Sequence, residues 1–71
     1  MDLRTKANGL AGSWVNGDHS FVLVEILETA ESKLEAMSLT IHVYHALQRW
    51  DDGETQYAFD FQDAIHRKAG E

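Results

Sequence analysis

The stretch LTIHVYHALQRW, residues 39–50, decides the fold, because it reads two ways. As a strand, Leu39, Ile41 and Val43 alternate with Thr40 and His42, and β-branched and aromatic residues suit a pleated surface. The alternation fails at His45-Ala46-Leu47, and the preceding ETAESKLEAM (28–37) is strongly helix-forming. Working outward, Leu23, Leu27, Ala30, Leu34, Met37, Ile41 and Tyr44 recur at alternating spacings of four and three. That is a heptad seam. Glu35, Ser38, His42, His45 and Arg49 form a polar stripe, which Glu28, Glu31 and Ser32 continue upstream. SKLE (32–35) fits a capping box, but the apolar period runs straight through it. The period over thirty residues outweighs propensity over five, and predicts one helix over about 20–50.

DDGE (51–54) ends that helix, with Gly53 able to take a left-handed conformation. A second helix is expected over about 55–69. Gln56, Asp60, Asp63 and Arg67 make its polar stripe, and Tyr57, Ala58, Phe61, Ala64 and Ile65 its apolar face. Lys68 and Gly70 suit its C-terminus. The expected fold is mainly α: a long helix and a shorter one as an αα-hairpin, assembling into a helical bundle. The alternative is α+β, two hairpins around a central helix, with strands at 21–27, 39–45 and 55–61.

Residues 1–17 hold Gly9, Gly12 and Gly17, and their apolar residues are scattered. Asn16-Gly17 is a turn signal. It closes a β-hairpin, or it ends an arm just before a helix that starts at Asp18 or Ser20, both good N-caps. The 71 residues are read as a single small domain in which 1–17 is a flexible or loosely packed arm.

A domain of this size buries little and usually needs added support. With no cysteine, disulfides and thiolate metal sites are excluded, which leaves self-association or a histidine/carboxylate metal site. A helix of about 30 residues is about 45 Å long, and one of about 15 is about 22 Å. The short helix therefore leaves Phe21, Leu23, Val24, Leu27 and Leu34 uncovered, and a second protomer is expected to cover them. No stretch approaches the roughly 20 apolar residues that span a bilayer, and the N-terminus lacks a signal-peptide apolar run. A soluble, cytoplasmic chain without a membrane partner is expected.

The net charge is −6: residues 1–17 carry +1, and residues 18–71 carry eleven acidic and four basic side chains, −7. Such a chain disfavours direct contact with nucleic acid and suits a basic protein partner. The bland reading of the same charge is solubility.

His42 and His45 share a helix face, roughly level with Asp63 and Asp60 across the expected hairpin turn. Two imidazoles and two carboxylates are a candidate metal set, to be weighed against two solvated polar stripes. Asp18, His19 and Ser20 are consecutive and cannot form a triad among themselves. No nucleophile elbow or phosphate-cradling glycine loop occurs, so no enzyme activity and no cofactor are expected. Aromatic residues on helices are usually core, which places Trp50 inside. Trp14, in the arm, and Phe59, off the apolar face, are candidate partner anchors. Glu28, Glu31 and Glu35 are the acidic candidates for partner binding. The expected function is a small acidic protein-interaction module: an adaptor, a regulator, or an inhibitor occupying a basic nucleic-acid-binding surface of its partner. The alternatives are a histidine/carboxylate metal-binding bundle and a purely structural homo-oligomer.

Overall fold

The structure, a computed structural model, describes residues 2–71. It is all-α: α1 (Leu3–Val15), α2 (His19–Leu27), α3 (Lys33–Gln48) and α4 (Tyr57–Ala69), with no strand among the described residues. LTIHVYHALQRW is therefore helical up to Gln48, and the α+β alternative falls. The two-helix hairpin also gives way, to four helices packed in one globule. The longest dimension is 34 Å, too short for a straight helix of about 45 Å.

The predicted long helix breaks at residues 28–32. Its first part ends at Leu27, where the Thr29 hydroxyl donates back to the Glu25 carbonyl oxygen at 2.6 Å. Ser32 then starts α3 in extended backbone (φ −150°, ψ 163°), and its Oγ accepts from the Glu35 amide at 3.1 Å. The Glu35 carboxylate reaches back and accepts from the Glu31 amide at 3.0 Å. This is a capping box shifted by one residue, and it corrects the reading that passed through SKLE. The apolar period continues across the break only because Leu27, Ala30 and Leu34 happen to keep its spacing.

The N-terminal arm is also corrected: residues 3–15 are a helix packed into the core. Asp2 caps it, its Oδ1 accepting from the Thr5 amide at 2.8 Å, and that hydrogen bond holds the Asp2 carboxyl below its ordinary range. Ala7, Leu10, Ala11 and Trp14 form the buried stripe at helical spacing. Ala7 and Ala11 let α1 lie close on α3, the most extensive helix contact in the molecule. Asn16-Gly17 ends α1 in a Schellman motif. Gly17 is left-handed (φ 98°), its amide donates to the Trp14 carbonyl, and the Asp18 amide donates to that of Ser13. Of the two readings of this dipeptide, the helix starting at Asp18 is the one observed.

The core is completed by Val22 and Ile26 from α2, by Leu39, Val43, Ala46 and Leu47 from α3, and by Ala58, Phe61 and Ile65 from α4. No polar or charged side chain is buried among the described residues. At the second turn, Asp52 Oδ1 accepts from the amides of Glu54 (3.0 Å) and Thr55 (2.7 Å). Those bonds, Thr55 first, hold its carboxyl below the usual range. Gly53 is left-handed as expected (φ 92°), inside this turn rather than directly at the end of α3.

Candidate interaction face

α3 is apolar on two sides. Leu39, Val43 and Leu47 point inward at helical spacing and are fully buried. Leu34, Met37 and Ile41, at i, i+3 and i+7, point outward and are 73%, 54% and 55% exposed. The seam read from sequence thus follows the outer side, not the core. Its end members Leu23, Leu27 and Tyr44 are half-buried against the core, whereas Leu34, Met37 and Ile41 between them form an exposed ridge.

Beside this ridge, α3 and α4 run antiparallel and leave a groove. At one end, the first half of α3 meets the end of α4 in a hollow of about 420 Å³, with Leu27, Ala36, Ile65 and Ala69 among its lining residues. A smaller hollow of about 200 Å³ continues along the helices past Tyr44 and His45, with Phe61 and Gln62 opposite. Thr40, Ile41 and His66 line both. The Thr40 hydroxyl donates to the Ala36 carbonyl oxygen at 2.8 Å, so its hydrogen-bonding need is met within the helix. Neither hollow is lined by a carboxylate. Their titratable side chains are Lys33, Tyr44, His45 and His66.

The candidate sites fare unequally. Trp14 is 2% exposed, so it is core and not an anchor. Its ring stacks on His19 (centroids 3.7 Å apart, 11° between planes) and meets Phe61 edge-on at 5.3 Å. The Nε2–H tautomer of His19 donates to the Trp14 carbonyl oxygen at 3.1 Å, which ties the start of α2 to the end of α1. Phe59 is 61% exposed on α4, beside Asp60 and Asp63. Trp50 is half exposed, in a separate hollow with Asn8 and Arg49, contrary to its expected place in the core.

Glu28 and Glu31 are exposed at the α2–α3 corner, and Glu35 is engaged in capping α3. The break takes these three off a common helical stripe. Of the five self-association candidates, Phe21, Val24 and Leu34 are exposed, while Leu23 and Leu27 are half-buried.

His42, His45, Asp60 and Asp63 are not gathered. His45 faces Gln62 and His66 across the groove, and Asp63 is bridged to Arg67 one turn on. Among the described residues, no group of three or more His, Asp or Glu side chains is close enough to hold a metal ion. The antiparallel pairing expected of the two helices is present and sets His45 level with Gln62, but Asp60 and Asp63 lie on the exposed side of α4. No described helix is long and apolar enough to cross a membrane. No protein family, curated protein or solved structure matches the chain.

Proposed function

We propose that the chain is a small acidic interaction module, an adaptor, regulator or inhibitor, that binds another polypeptide through the α3/α4 face. One observation carries this reading: the Leu34–Met37–Ile41 ridge stands exposed beside an apolar groove in a domain too small to leave such surface wet without consequence. An amphipathic helix or a second helical pair is the natural occupant, its apolar side chains entering between α3 and α4. Phe59, on the outer side of α4, is a candidate for the rim of the same contact. The acidic corner of Glu28 and Glu31 lies outside the lining residues. It supplies none of the buried contact.

A photo-crosslinking amino acid in place of Met37, in the full chain in its native cells, tests the reading. The expected result is a discrete adduct that is lost when Ile41→Asp is added and kept when Glu28→Gln is added. Crosslinking that is absent, or indifferent to Ile41→Asp, refutes it.

A further inference from the structure

We propose that the occupant of this face is a second copy of the chain, related by a two-fold axis, with the ridge of each protomer lying in the groove of the other. The proposal rests on the reading of the α3/α4 face as the binding surface, and specifies its partner.

Two observations converge on a second copy. The first is shape. A two-fold interface uses the same patch twice, so the patch must carry both a projection and a recess that accepts it. Leu34, Met37 and Ile41 are the projection, spanning about 10 Å along α3. The adjoining recess has the small side chains Ala36 and Ala69 in its lining, with Leu27 and Ile65 beside them and the ridge's own Met37 and Ile41 as its wall. Ridge and groove lie on one face, as ridges-into-grooves packing between two helix pairs requires.

The second is charge. The chain carries −6, so two copies repel wherever their carboxylates meet. The groove lining includes no aspartate or glutamate, although the chain has twelve, so two copies meeting there bring no lining carboxylates together. A basic partner would find no counter-charge there. A second copy finds an apolar, nearly neutral surface.

Sedimentation equilibrium of the full chain, from low micromolar to about 1 mM, at low and high salt, tests this. The expected result is a monomer–dimer equilibrium that tightens as salt rises, because screening removes the repulsion and leaves the apolar contact. Ile41→Asp and, separately, Met37→Asp should weaken dimerisation about tenfold or more. Both positions are exposed, so far-UV circular dichroism should be unchanged. Trp50→Ser, in a hollow that shares no lining residue with the groove, should leave the dimer as it is. The Met37 methyl resonance should shift on dilution. A chain monomeric throughout, a dimer indifferent to both aspartates, or a dimer that loosens with salt overturns the proposal. If a monomer still crosslinks from position 37 to a different protein, the interaction reading stands and only the second copy is refuted.

Discussion

The inner and outer faces of α3 have almost the same chemistry and opposite fates. Leu39, Val43 and Leu47 are sealed, while Leu34, Met37 and Ile41 are more than half exposed. Hydropathy does not separate them, and the difference lies in what each face meets. α1 lies along α3 and closes the inner face with Leu10, Ala11 and Trp14 in the shared core, whereas the outer face looks onto the groove beside α4. An apolar stripe on a helix does not by itself say that the face is buried within its own chain.

The comparison is tested most severely on the inner face. Leu39→Ala removes a fully buried side chain and should cost about 2–5 kcal/mol, a large share of the stability of so small a domain. Urea denaturation should show the midpoint falling sharply, or no folded baseline at all. A loss under about 1 kcal/mol would mean that α1 does not seal this face.

The legible parts of the fold were those set by local chemistry. The α4 span and the end of α3 before Asp51 follow from period and turn residues, and Asp18 was one of the two starts read for α2. Two parts were misread, for different physical reasons. α1 was hidden because Gly9 and Gly12 lower helix propensity, although a methyl group at either would meet nothing within 4 Å. Its Ala7–Leu10–Ala11–Trp14 stripe was present, but half of it is alanine, which contributes little hydropathy and much close approach. The break at 28–32 was hidden because the outer seam kept its period across it. The buried stripes do not keep theirs. Val22 and Leu39, like Ile26 and Val43, are seventeen residues apart, which leaves them about 100° out of phase on a straight helix. Only a break brings both stripes to one core.

The candidate site was legible in part. Leu34 was named among the residues left open, and it is the most exposed large apolar side chain of α3. Met37 and Ile41 were assigned to the seam that the second helix would cover. That assignment depended on the α3/α4 register, which composition and period leave undetermined. Trp14 was placed outside because α1 was not seen, and the four metal candidates were set level across the hairpin turn, whereas Asp60 and Asp63 lie on the exposed side of α4.

A smaller effect probes the break that creates the two faces. Ser32→Ala removes the side-chain acceptor of the Glu35 amide and should cost about 1 kcal/mol, within the usual range for such caps. On an uninterrupted helix the same change would be neutral or slightly stabilising, because alanine is the better helix former. Thermal melts therefore distinguish the two by sign. A melting temperature that rises on Ser32→Ala would restore the continuous helix and merge the α2 and α3 faces.

The smallest effect belongs to the outer face, and it gives the comparison its meaning. Met37→Ala removes an apolar side chain only two residues from Leu39 on the same helix, yet Met37 is 54% exposed where Leu39 is fully buried. Truncating an exposed side chain leaves no cavity, and alanine is at least as good a helix former as methionine. At low micromolar concentration, where the monomer dominates, stability should change by less than about 0.5 kcal/mol. At concentrations near 1 mM, the same variant should lose the additional stability that association lends the wild type. The expected signature is thus a substitution that is silent in dilute urea melts and visible only as protein concentration rises. A loss of about 2 kcal/mol already present at low concentration would show that Met37 packs within its own chain, and the outer face of α3 would become a second part of the core.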